Sequence, residues 1–104
     1  METTATDEGR TAKGVGLFSL GRIVATPGAL RAMEATGSSA SEFLVRHALG
    51  DWGDLCDEDR QANDEAIADD LRILSAYRLN DGTKIWIITE ADRSATTVLL
   101  PEEY

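Results

Sequence analysis

Hydrophobic positions change period near residue 72. From there they alternate with polar ones every two residues: 72–79 (RILSAYRL), the turn residues Asn80, Asp81, Gly82 and Thr83, then 84–89 (KIWIIT). Two such runs around an Asp-Gly pair are a strong hairpin signature. Two registers remain open. A two-residue loop pairs Tyr77 with Trp86, whereas a three-residue loop with left-handed Gly82 pairs it with Ile85 and reverses the faces of the second strand. After a turn-like break at 90–94, residues 95–100 (ATTVLL) read as a third strand stopped by Pro101.

Before residue 72 the spacing is mostly helical. Residues 17–25 (LFSLGRIVA) are the exception, an apolar, partly β-branched run that reads as a half-buried or fully buried strand. Thr26-Pro27 then opens a helix over 27–36, since the Thr hydroxyl accepts from a first-turn N–H and proline at the first position gives up a donor that is unpaired there anyway. Leu30 and Met33 supply its inward face, and Gly37 is a left-handed stop. Ser39 and Glu42 have the spacing of a capping box. The second helix they open carries Phe43, Leu44, His47 and Ala48 on one stripe and stops at Gly50. A third helix over 58–71 starts among acidic residues, and its apolar face is only Ala62, Ala66, Ile67 and Leu71. The expected architecture is α+β: one strand, three short helices, then a C-terminal antiparallel three-stranded meander.

Residues 1–16 hold one sizeable aliphatic, Val15, after the start and are expected to form a flexible leader to a single domain over 17–104. No basic and apolar secretory signal and no membrane-length apolar run is present, and the lone Cys56 has no partner for an internal disulfide. These features point to a reducing, cytoplasmic setting.

Charge changes the picture more than composition does. Of 104 residues 19 are acidic and 10 basic, a net charge of −9, which disfavours a direct grip on nucleic-acid phosphates. The excess is concentrated: residues 51–70 contain nine acidic residues and one basic residue, a net of −8. Its members are Asp51, Asp54, Asp57, Glu58, Asp59, Asp64, Glu65, Asp69 and Asp70. Three readings compete. A solvated helix face is the commonest use of such a run. A docking surface for a basic protein is the functional one, with nucleic-acid mimicry as its sharpest form. A divalent-ion site on Asp54, Asp57 and Asp59 is the third, although the span fails the EF-hand pattern.

Other candidates are fewer. His47 sits on an apolar stripe, where a core imidazole is commoner than a catalytic base. Cys56 lies among carboxylates, which disfavour the thiolate. The glycines near Lys13 lack a phosphate-loop spacing. Arg93 either clamps an anion or pairs with Asp92 or Glu90. Trp52 either plugs the junction after the second helix or stands as an anchor in the acidic rim, and it is carried with the nine acidic residues as a candidate partner-binding residue.

The stretches RIVATPGAL (22–30), FLVRHALGDWGDL (43–55) and LSAYRLNDGTKIWIITEADRSATTVLLPEEY (74–104) resemble a family of short bacterial proteins associated with plasmids and integrated mobile elements. With the spacing between them the resemblance spans about residues 17–104, and the TEADRS-x-TT-x-LLPEEY ending is its most specific part. It transfers no catalytic residue. It implies a mobile-element setting, in which small acidic proteins that block host-defence nucleases are one class. The expected function is a non-enzymatic module that engages a basic protein through residues 51–70, with no cofactor and no catalytic residue. The alternative is a small divalent-metal-dependent hydrolase or nuclease on Asp54, Asp57 and Asp59 with His47 as base.

Overall fold

A computed structural model describes residues 16–104. The expected leader lies, but for Gly16, outside them. The chain runs β1 (Arg22–Ala25), α1 (Pro27–Thr36), α2 (Ala40–Ala48), α3 (Asp57–Asp69), β2 (Ile73–Arg78), β3 (Lys84–Thr89), β4 (Ala95–Leu99) and a short 3-10 turn, Pro101–Glu103. This is an α+β fold with three helices. The antiparallel run β2-β3-β4 does not stand alone, however. β1 adds to it in parallel beside β4, so the sheet is four-stranded and mixed, in the order β1-β4-β3-β2.

Local chemistry accounts for most boundaries. Thr26 Oγ1 accepts the Ala29 N–H at 3.2 Å, Pro27 occupies the first turn, and Gly37 closes α1 in a left-handed conformation at φ 68°. The hairpin takes the three-residue loop: Leu79 N–H donates to Thr83 O at 2.8 Å, Gly82 has φ 89°, and Tyr77 pairs with Ile85.

Four expectations need correction. The strand expected over 17–25 shrinks to Arg22–Ala25 because Gly21 adopts φ 64° and breaks the run; a Cβ there would strike the backbone of Arg93 and Ser94. What remains is an exposed edge strand, not a buried one. Leu30 is 53% exposed, and Ala29 and Met33 form the inward face of α1 instead. Ser39 makes no side-chain cap, so the capping box is not formed.

One sheet face carries Ala25, Ile73, Ser75, Tyr77, Ile85, Ile87, Thr89, Thr96 and Val98 and packs under the helices, with Met33 and Phe43 above Tyr77, Ile85 and Val98. On the other face Ala76, Ile88 and Leu99 are buried, and Tyr104 sits edge-on to Trp86 at 5.7 Å between centroids. Arg72 lies over the Tyr104 ring and donates to its hydroxyl.

The outer edge of β2 is closed. Ala76 N–H donates to Trp52 O at 3.1 Å and Asp54 N–H to Ala76 O at 2.6 Å, a parallel bridge centred on Gly53. Only glycine fits there. Gly53 has φ 76°, and a Cβ would collide with the Ala76 carbonyl and the Tyr77 ring.

Candidate functional site

The nine carboxylates of residues 51–70 are all exposed, but they are not equivalent. Asp51 Oδ2 accepts from Arg46 Nε at 2.7 Å, which holds its carboxyl below the usual range. Asp54 pairs with Arg78 at 2.9 Å. Asp64 Oδ1 accepts the Trp52 indole N–H at 3.1 Å. Trp52 itself is 2% exposed and stacks on Phe18, so it plugs the junction and drops out of the candidate surface; its role is to hold Asp64.

The rest sit on or beside α3 without a bonded cation among the described residues. At about 100° per residue, Asp57, Glu58, Asp64, Glu65 and Asp69 fall within roughly 140° of helix surface, opposite the buried Asn63 and Ala66. Asp59 lies outside that arc in the first turn, and Asp70 caps the helix end at φ 54°. Arg60, the one cation of the segment, donates to Leu55 O at 3.0 Å and Gly53 O at 2.6 Å and bonds none of the carboxylates among the described residues.

A helix with so few apolar residues needs other anchors, and two polar ones supply them. Asn63 Nδ2 donates to Leu74 O at 2.6 Å while Leu74 N–H donates to Asn63 Oδ1 at 3.1 Å, so its amide group occupies the place of a neighbouring strand at the β2 edge. Arg93 reaches the other end of α3, where carbonyls and the dipole concentrate negative charge. Its guanidinium donates to Ala66 O at 3.0 Å and Leu71 O at 2.7 Å. Its guanidinium is thus turned to backbone carbonyls and forms no ion pair with Asp92 among the described residues. It offsets the cost of Asp69 and Asp70 at their own helix terminus.

His47 is fully buried and belongs to a different construction. Thr96 Oγ1 donates to Leu20 O at 2.7 Å, which uses its only proton. Thr89 Oγ1, 2.7 Å away, is therefore the donor to Thr96 and in turn accepts from His47 Nε2 at 2.9 Å. That leaves Nδ1 to accept from Ser75 Oγ at 2.5 Å. The chain of protons runs one way, Ser75 to His47 to Thr89 to Thr96 to Leu20, with the imidazole neutral. Burial pulls the His47 pKa down to about 4. Ser75 against Nδ1 has the spacing of a nucleophile and its base, yet both residues have no exposed surface for a substrate atom to reach.

The residues named for the hydrolase alternative are not brought together among the described residues. His47 is sealed, Asp54 is committed to Arg78, and among the described residues no three His, Cys, Asp or Glu side chains are grouped to hold a metal ion. Cys56 is exposed just before α3.

Sequence reasoning singled out the acidic segment through its charge count and Arg93 as an anion clamp or a partner of Asp92 or Glu90, and it missed Asn63, Ser75, Thr89 and the helix-end role of Arg93. The one available signal was chemical: a helix as polar as α3 requires polar anchors. Comparison with known protein families, curated proteins and solved structures found no match.

Proposed function

We propose that this protein is a small, non-enzymatic interaction module that docks a basic protein through the solvent-facing side of α3. The observation that carries this reading is that Asp57, Glu58, Glu65 and Asp69 share one exposed helix face with no cation bonded to them among the described residues. A solubilising surface needs charge of either sign spread widely, whereas a concentrated field of one sign accelerates encounter with its opposite. The face is also held still, by Asn63 at one side and Arg93 at the end, so little ordering entropy is lost on docking. A protein that grips nucleic-acid phosphates presents the complementary surface, and occupation of that surface by α3 is the inhibitory form of the reading.

The test compares the full chain with a four-amide variant, Asp57→Asn, Glu58→Gln, Glu65→Gln and Asp69→Asn. Asp64 is spared because it holds Trp52. For each basic protein recovered on the immobilised chain, the association rate should fall steeply as salt rises past about 0.1 M, where the Debye length is about 10 Å. The variant should associate slowly at every salt concentration while keeping the circular dichroism spectrum of the folded parent. A partner bound equally fast by both proteins across that range overturns the reading.

A further inference from the structure

The helices reach the sheet from one side: α1 and α2 pack on Tyr77, Ile85 and Val98, and α3 packs on Ile73. Among the described residues no helix covers the other side. Strand pairing sets Trp86 near the centre of that open side, between Ala76 on β2 and Leu99 on β4, with Arg78 and Lys84 paired across one end. At the other end Arg22 stands opposite Ala95, and Arg72, just before β2, lies over the Tyr104 ring.

Two properties set this side apart. It presents aromatic rings to solvent: Trp86 is half-buried, and Tyr104 beside it is 68% exposed, with its hydroxyl held by Arg72. It also gathers cations in a chain of net charge −9. Arg22, Arg72, Arg78 and Lys84 stand there against two carboxylates, Glu90 on Arg72 at 3.8 Å and Asp54 on Arg78 at 2.9 Å. Arg22 and Lys84 bond no carboxylate among the described residues.

We propose that the open side of the sheet binds a short run of single-stranded nucleic acid. Bases stack on the Tyr104 and Trp86 rings, and the phosphates lie toward Lys84 and Arg78 at one end and Arg72 and Arg22 at the other. Every base has a π-face, so a platform of this kind holds a strand with little regard to sequence. From Arg72 to Arg78 the side extends roughly 20 Å at about 3.4 Å per residue, and its four strands spread over about 14 Å. That is room for about four nucleotides, the lower end of the sites that small β domains offer to single strands.

The net charge of the chain narrows the ligand further. A duplex keeps its base faces inside its own stack and offers this side phosphates alone, which an acidic protein draws poorly. A single strand adds stacking, which does not depend on net charge, and leaves the four cations to orient its backbone. An acidic peptide would meet the cations and leave both rings without a partner. The surface is separate from the solvent-facing side of α3, and the proposal stands whether or not that side docks a protein.

Titration of a labelled octathymidylate with the full chain reads binding as anisotropy, and quenching of tryptophan fluorescence reads stacking. Trp52 is buried, so the quenched ring is Trp86. Between about 20 and 200 mM salt the affinity should fall about a hundredfold, a slope of about −0.7 for each of about three phosphates. Lys84→Glu and Arg22→Glu should weaken binding and flatten that slope. Tyr104→Ala should weaken binding about tenfold with the slope unchanged, whereas Tyr104→Phe should keep it. These variants change exposed side chains and should keep the circular dichroism spectrum of the parent. A duplex of the same length and polyglutamate should both bind far more weakly. The proposal is overturned by a chain that leaves the oligonucleotide free at the lower salt, by duplex or polyglutamate bound as tightly, or by tryptophan fluorescence unchanged at saturation. Binding untouched by both the charge reversals and Tyr104→Ala overturns it as well.

Discussion

The side-chain amide of Asn63 bonds both backbone groups of Leu74, donating at 2.6 Å and accepting at 3.1 Å, and in this way a helix with almost no apolar face is fixed to the edge of the sheet. The contact is nearly buried, Asn63 being 5% exposed. Asn63→Ala leaves the Leu74 N–H and C=O without their partner. We expect a loss of about 1–3 kcal/mol in denaturant unfolding, the cost of stranding such groups. Gln61→Ala, one turn surface away and exposed, should cost under about 0.5 kcal/mol. Equal effects for the two would show that Asn63 does not anchor α3.

How much of this was legible in the sequence depended on range. α1 was readable because Thr26, Pro27 and Gly37 act on their nearest neighbours, and the hairpin because Asp81-Gly82 sits between two alternating runs. The pairing of β1 with β4 joins Arg22 to Ala95, and no local pattern records a partner at that separation. Gly21 looked like one more residue of an apolar run, although its positive φ divides that run. The acidic face was visible as a count of charges. Asn63, which helps hold it in place, looked like an ordinary polar position, and Arg93 looked like an anion clamp or a partner of Asp92 or Glu90, because the partners of both are backbone atoms and backbone atoms leave no trace in residue identity.

Acid should destabilise the fold through His47. Its folded pKa, about 4, lies below the ordinary 6.5, so between these values the unfolded chain binds more protons than the folded one. The contribution of the neutral imidazole is therefore complete above about pH 6.5, declines as pH falls, and is gone below about 4. Full loss amounts to about 3 kcal/mol. His47 is the only histidine, so its ring resonances need no assignment by mutation. They should stay in the neutral form, with the proton on Nε2, down to about pH 5; titration near 6.5 in the folded protein would refute the directed chain.

Two glycines with similar backbone angles should respond differently to alanine. Gly82 has φ 89° with nothing near its absent Cβ, so Gly82→Ala meets only the left-handed penalty of about 1–2 kcal/mol. Gly53 has φ 76° and faces the Ala76 carbonyl, so Gly53→Ala also forces apart the bridge that closes the β2 edge. Hydrogen exchange at Ala76 and Asp54 should accelerate in Gly53→Ala and stay slow in Gly82→Ala. The reverse order would mean that the bridge is not closed in solution.

Arg93 gathers carbonyls from the end of α3, from Leu71 just beyond it and from the turn before β4, and its guanidinium carbon lies over the Phe18 ring, 5.6 Å from the centroid. A lysine keeps the charge but not the fork. Arg93→Lys should therefore lower stability by about 1–2 kcal/mol and loosen the last turn of α3 first, as read by exchange at Asp69 and Asp70. A variant as stable as the parent would show that charge alone caps the helix.

The acidic face makes a prediction about stability that separates docking from solubility. Asp57 and Glu58 lie in the first turn of α3, where the helix dipole favours them, whereas Asp69 lies in the last turn and one turn beyond Glu65. Removing the first pair, by Asp57→Asn and Glu58→Gln, should destabilise the helix by about 0.3–1 kcal/mol per residue. Removing the second pair, by Glu65→Gln and Asp69→Asn, relieves repulsion and should stabilise it by a few tenths of a kcal/mol. Both effects should fade with salt, which screens exposed charges. If the second pair proves stabilising in the parent protein, its presence is explained by folding alone. If it proves destabilising even with Arg93 at the same helix end, these two carboxylates work against the helix that carries them, and folding does not explain their presence.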